Sequence, residues 1–195
     1  MKSGTAVILA VAVLAIAGGG VFAYHSLSDD GNSKLNGDWS YSLAPTYNND
    51  KSQYYDGTLS ITAQDGKFTK YETKVSEHAV PSDPSDPMYL KINEVNAIAP
   101  ESILLIDPVE PSTSETSKKI SKLISSNDCF NGYKDGVHNK NFINDKSGEK
   151  TLCYDLCNNS ANSTYYITLD GLIVGVLDKE NSTPLLFILK GWSLA

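Results

Sequence analysis

Short segments in which apolar and polar residues alternate recur along most of this chain, and that period of two limits the fold more than any other feature. Trp39, Tyr41 and Leu43 alternate with Ser40 and Ser42, and Leu59, Ile61 and Ala63 alternate with Ser60 and Thr62. After an Asp65-Gly66 turn, Tyr71, Thr73 and Val75 alternate with Lys70, Glu72 and Lys74, and Met88, Leu90 and Ile92 alternate with Lys91 and Asn93. Successive side chains of a strand point to opposite faces, so each segment predicts a strand with one apolar and one wet face. Further strands are expected at 103–106, 151–157, 164–169, 172–177 and 185–189. Asp170-Gly171 between two apolar runs is a strong hairpin signal. Three prolines in Pro81-Ser82-Asp83-Pro84-Ser85-Asp86-Pro87 cannot join a ladder and mark an exposed loop, either a linker or a recognition segment.

One helix is expected. Ser112-x-x-Glu115 has the spacing of a capping box, Ile120, Leu123 and Ile124 form a narrow apolar stripe, and Lys118, Lys119 and Lys122 favour the C-terminal end. The polar stretch 127–149 reads as an irregular excursion covering one end of the structure. The sum is a mainly β fold: an antiparallel β-barrel of about eight strands with one inserted helix, because closure removes unpaired edges.

The N-terminus predicts the compartment. Residues 5–24 are apolar throughout, with Lys2 before them and Asp29-Asp30 behind. About 20 apolar residues span a bilayer, and the flanking charges point the N-terminus to the cytoplasm. The division expected is a cytoplasmic start at 1–4, a transmembrane anchor at 5–24, a linker at 25–36 and an exported barrel domain at 37–195. Val21-Phe22-Ala23 also has the small-x-small form of a signal-peptidase site, so a cleaved signal peptide is the other reading. Both place the domain in an oxidising compartment, where Cys129, Cys153 and Cys157 are disulfide candidates. Cys153 and Cys157 lie four apart on one strand, about 13 Å, too far to pair, so Cys129 would join one of them across the outer face.

Composition excludes some functions. The net charge is −7, and the 16 basic residues are all Lys. Nucleic-acid and phosphate sites favour the guanidinium fork, so direct nucleic-acid binding is not expected. No nucleophile elbow, phosphate loop, dinucleotide fingerprint or zinc-protease motif is present, and no enzyme, cofactor or metal site is expected. Two features suggest binding instead. The segments 103–106, 172–177 and 185–189 are apolar on both faces, and either the helix and excursion cover their outer sides or a protein partner does. The inward set Tyr41, Leu59, Ile61, Tyr71, Thr73, Leu90, Ile92, Tyr154, Tyr165 and Ile167 mixes aliphatic groups with tyrosine hydroxyls. It suits an amphipathic ligand or an ordinary filled core.

Gly37-Asp38-Trp39 resembles the Gly-x-Trp opening of lipocalins, in which the tryptophan packs across the closed barrel end; Lys190 would supply the basic residue beside it. The layout as a whole resembles the membrane-anchored periplasmic partners of virulence transcription regulators, the ToxS and VtrC type, with PsaF- and FidL-like branches. The segment 103–106 with Asp107-Pro108-Val109-Glu110 and a helix resembles their middle section, and 165–189 resembles their end. The resemblance implies a lipocalin-like, non-enzymatic periplasmic subunit held in the bacterial inner membrane. It would bind and stabilise a single-pass membrane transcriptional regulator as a heterodimer, and form a shared cavity for an amphipathic small molecule such as a bile salt. The alternative is a stand-alone lipocalin-like carrier or lipid-binding envelope protein.

Overall fold

The computed structural model of the chain describes residues 34–44, 46–48, 52–83, 85, 112–180 and 183–195. The strands expected at 88–92 and 103–106, with Leu90 and Ile92, lie outside these residues, as does the apolar run at 5–24. Among the described residues no helix is long and apolar enough to cross a membrane.

The alternating segments form the strands β1 (Gly37–Leu43), β2 (Thr46–Tyr47), β3 (Gln53–Gln64) and β4 (Lys67–Ala79). The helix α1 (Ser114–Ser126) and a single 3₁₀ turn, η1 (Asp128–Phe130), follow. Next come β5 (Lys134–Asp135), β6 (Lys140–Asn144), β7 (Lys150–Cys157) and β8 (Ser163–Ile167). The chain ends with β9 (Ile173–Glu180), β10 (Thr183–Leu189) and β11 (Trp192–Leu194). All eleven belong to one antiparallel sheet in the order β11-β6-β7-β8-β9-β10-β1-β3, with β4 along the other side of β3. The sheet curls into a half-barrel.

Turn chemistry sets the registers. Asp65 (φ 51°) and Gly66 (φ 77°) both take positive φ, which a two-residue hairpin turn requires to match strand twist. Twelve residues of β3 therefore pair along β4, with one irregularity at Thr62/Ala63. The Asp170-Gly171 hairpin is present too, closed by Thr168 N donating to Leu172 O at 3.0 Å and Gly171 N donating to Thr168 O at 2.9 Å.

One face of the sheet is concave. Tyr41, Leu59, Ile61, Ile167, Val176 and Phe187 are all 0–1% exposed there, and Ile120 of α1 and Phe130 of η1 pack into the same cluster. The helix thus fills the concavity instead of shielding outer strand faces. It touches β5, and η1 touches β4, so this pair occupies the gap that strand pairing leaves open. The helix differs from expectation in two details. Its cap is Thr113, whose hydroxyl accepts from Thr116 N at 3.1 Å, instead of Ser112 with Glu115. No basic residue lies in its last turn, because the helix runs a turn past the lysines. Its end is tied by Asn127, 1% exposed: Oδ1 accepts from Leu35 N at 2.7 Å and Nδ2 donates to Leu123 O at 2.9 Å. Leu35, placed in the linker by sequence, is therefore packed into the domain.

The stretch 127–149 is not irregular. It carries η1, β5 and β6, and its phenylalanines 130 and 142 are both fully buried. β7 pairs through its first half with β6 and through its second with β8, so the chain turns a corner there. β6 and β11 fold back over the outer face of the central strands. Phe142, Tyr166, Val174, Leu186 and Ile188 form a second buried cluster, flanked by Trp192 and Leu194. Gly175 permits the approach, since a Cβ there would meet the Phe142 ring at 2.8 Å. The outer faces of β9 and β10 are thus sealed by the chain itself. β11 was not foreseen; its signal was the Lys190-Gly191 turn followed by Trp-Ser-Leu.

Phe142→Ala should expose this outer cluster and cost about 3–5 kcal/mol. Urea titration of the purified protein measures the loss; a change below about 1 kcal/mol would show that the folded-back layer does not carry stability.

Candidate functional site

Of the residues expected to line a lumen, those among the described residues share one face. Tyr41, Leu59, Ile61, Tyr165 and Ile167 are buried together, and Tyr154 packs half-buried against them. Tyr41 donates its hydroxyl proton to Ile173 O at 2.9 Å, which satisfies its only polar group inside the core. Thr73 lies opposite Leu59 on β4 and is half-buried. Tyr71 is 38% exposed.

The concave face becomes polar and open along β4. Tyr71 donates to Asp178 Oδ2 at 3.2 Å, reaching across the concavity from β4 to β9, with Ser163 as a second partner. Beside it, the Tyr133 and Tyr165 hydroxyls are bonded to each other, and their rings lie 5.3 Å apart. Phe68 and Phe130 complete the aromatic cluster, with Phe130 edge-on to Phe68 at 6.1 Å. Burial pushes the phenols of Tyr71 and Tyr165 well above the ordinary tyrosine value, and neighbouring phenols add to the shift at Tyr165. These hydroxyls are therefore neutral hydrogen-bonding groups at physiological pH.

β4 is the sheet's long margin. Its thirteen residues pair with β3 on one side, and no strand pairs with its other side among the described residues. Its outer face carries Lys70, Glu72 and Lys74, with Glu72 held 3.0 Å from each lysine. Charges of this kind blunt indiscriminate edge pairing while leaving the backbone groups available.

A groove of 460 Å³ lies elsewhere, between the turn joining β6 to β7 and the turn joining β8 to β9. Leu152, Tyr154, Leu169, Leu172 and Trp192 form its apolar wall, and Asn144, Glu149, Thr151, Thr168 and Asp170 its polar rim. Of the residues proposed from sequence, only Tyr154 lines it. Trp192 came from the unforeseen strand, and Asp170 had been read only as a turn residue.

The segment joining β5 to β6 forms a buried polar knot against β7. Asp155, 1% exposed, accepts at Oδ1 from His138 N at 2.8 Å, and its own N–H donates to Asn139 Oδ1 at 3.2 Å. Asp135 accepts from the Ser117 hydroxyl at 3.1 Å, which ties α1 to β5. Burial pushes the Asp155 carboxyl above the usual carboxylate range, Asp135 adds to it, and the His138 N–H and imidazole oppose it.

The three cysteines are free thiols, so the expected pairing of Cys129 with Cys153 or Cys157 is not present. Cys129 packs on the concave aromatic cluster, whereas Cys153 is buried in the outer cluster, and the sheet stands between them. Burial pushes the Cys129 and Cys153 thiols up to about 12 and raises Cys157 as well. Trp39 packs half-buried against the concave core, and Lys190 meets β1 through its backbone, N–H to Ser40 O at 3.0 Å.

Comparison with protein-family models, with curated proteins and with solved structures gives no match for this chain.

Thiol titration of denatured, unreduced protein should return three thiols per chain; a count of one would mean that a disulfide has formed. In the native protein alkylation should reach Cys157 well before the buried Cys153. Asp155 yields a pH prediction. A carboxyl whose pKa is raised by folding contributes stability below its unfolded value and loses it as pH rises through the folded value. As pH rises above the ordinary carboxylate range the urea midpoint of the wild type should therefore fall relative to that of Asp155→Asn; parallel curves would contradict the buried-acid assignment.

Proposed function

We propose that this chain is a non-enzymatic subunit, anchored in the bacterial inner membrane with its domain in the periplasm, that binds and stabilises a single-pass membrane transcriptional regulator. The observation that carries this reading is the margin of β4, which no strand among the described residues pairs with. Backbone N–H and C=O groups along a thirteen-residue strand offer a template to which an extended segment of another chain can add. Tyr71, the most exposed aromatic residue on the concave side of that margin, stands where an added strand would bury it.

Apolar outer faces lend a partner no docking surface among the described residues. Those of β9 and β10 are covered from within the chain, and the segment 103–106 lies outside the described residues. Apart from Tyr71, the large apolar side chains exposed among the described residues are Val137 and Leu169, which are too scattered to form a docking face. Edge pairing is what remains. An amphipathic ligand such as a bile salt would enter only a cavity completed by the partner, beside Tyr71, Thr73 and Asp178, because the rest of the concave face is filled.

The experiment is amide hydrogen exchange on the full-length protein in lipid nanodiscs, alone and with a co-reconstituted single-pass membrane regulator from the same source. The β4 amides that point away from β3 should exchange rapidly in the isolated protein and slow in the complex, while the amides of β9 and β10 stay protected throughout. Uniformly slow β4 amides in the isolated protein, unchanged on mixing, would defeat the proposal.

A further inference from the structure

We infer that the groove beside Trp192 is a binding site for a small organic cation with an apolar or aromatic body. The groove measures 460 Å³, within the size range of small-molecule sites. Its wall contains Tyr154, Trp192 and three leucines, and its rim contains two carboxylates, Glu149 and Asp170, with no Lys, Arg or His in the lining. Among the described residues neither carboxylate takes part in an ion pair. An apolar wall with aromatic rings and uncompensated negative charge at its lip fits an alkyl- or arylammonium group, which gains from both the ring faces and the carboxylates. An anionic amphipath of the same shape would gain from the wall but meet repulsion at the rim.

The site is held by turns of defined geometry. On one side Asn144 Oδ1 accepts from Lys146 N at 3.0 Å and Ser147 N at 3.1 Å, and Gly148 N donates to Asn144 O at 2.7 Å, which positions Glu149. On the other side the Thr168 hydroxyl accepts from Leu172 N at 3.0 Å and donates to Asp170 Oδ1, which positions Asp170. Trp192 is fixed by β11, where it lies opposite Asn144. Each ligand-facing group is thus seated on ordered backbone, which lowers the entropic cost of binding. Leu169, 40% exposed at the lip, is a large apolar side chain that a bound ligand body would cover. The net charge of −7 on the chain adds attraction for a cation at longer range.

The test is calorimetric titration of the full-length protein in phosphatidylcholine nanodiscs, with empty nanodiscs as the control. The probes are benzyltrimethylammonium and benzenesulfonate, close in size and opposite in charge. The ammonium should bind saturably, more weakly as salt is raised, and the sulfonate should not bind. Glu149→Gln with Asp170→Asn should weaken ammonium binding by about tenfold, each exposed charge contact contributing a factor of up to about five. Both side chains are exposed, so the double variant should fold, and its unfolding midpoint serves as the check. Equal binding of the two probes, unchanged affinity in the double variant, or no saturable binding of the ammonium would each overturn the assignment. The regulator is absent from the titration, so the result stands apart from the proposal about β4.

Discussion

The whole arrangement depends on the two central strands, β9 and β10, having to bury both of their faces. Leu185, Phe187 and Leu189 face the concave core, while Leu186 and Ile188 face the other way, and none of the five is more than 9% exposed. A single curled sheet can cover only one of these sides. The chain covers the other by turning a corner in β7 and laying β6 and β11 across the back. Burying five such side chains contributes on the order of 10 kcal/mol of transfer free energy, several times the worth of any hydrogen bond in the structure. That difference decides which part of the molecule is compact and which is left at its margin.

The polar interactions then determine how the concave side is closed. Asn127 joins three elements: the C-terminal turn of α1 through Leu123 O, the entry to β1 through Leu35 N, and, by its position, the β3–β4 hairpin. Gly66 of that hairpin donates to Leu35 O at 3.0 Å and accepts from Cys129 N at 2.9 Å. With α1 and η1 locked in this way, the opening of the half-barrel is filled by a helix and an aromatic cluster in place of a strand. The Lys67–Asp128 contact at 3.4 Å spans the same seam but is exposed on both sides, and a surface pair of that kind adds little. Filling the opening from the N-terminal end of β4 leaves the remainder of that strand without a second strand partner among the described residues.

Much of the fold was legible because local chemistry and final structure agree. The alternation at 39–43, 59–63 and 71–75, together with the Asp65-Gly66 and Asp170-Gly171 turns, predicts strands, faces and hairpins that the structure contains. The misreadings have a common origin in non-local packing. The stretch 127–149 is polar in composition, yet Phe130 and Phe142 are placed deep in two different clusters, and composition carries no record of which partners a lone phenylalanine meets. The helix stripe of Ile120, Leu123 and Ile124 was correctly read as apolar, but it points into the barrel because η1 anchors the helix there. The doubly apolar character of 172–177 and 185–189 was also correctly recognised. What covers them lay in a segment whose pattern had looked irregular.

By itself the sequence determined the β character, the hairpin turns, the helix that follows Thr113, the shortage of catalytic motifs and the acidic balance. These properties depend on side-chain period, turn conformation and charge, each readable within a few residues. Only the tertiary structure decided that the outer faces of β9 and β10 are sealed from within, that Tyr41, Leu59, Ile61 and Ile167 are buried together, that Cys129 and Cys153 stand on opposite sides of a sheet, and that a groove forms between two distant turns. Those outcomes depend on which surfaces meet across large separations in the chain, and contacts of that kind are settled by the collective burial of apolar area, which no local pattern encodes.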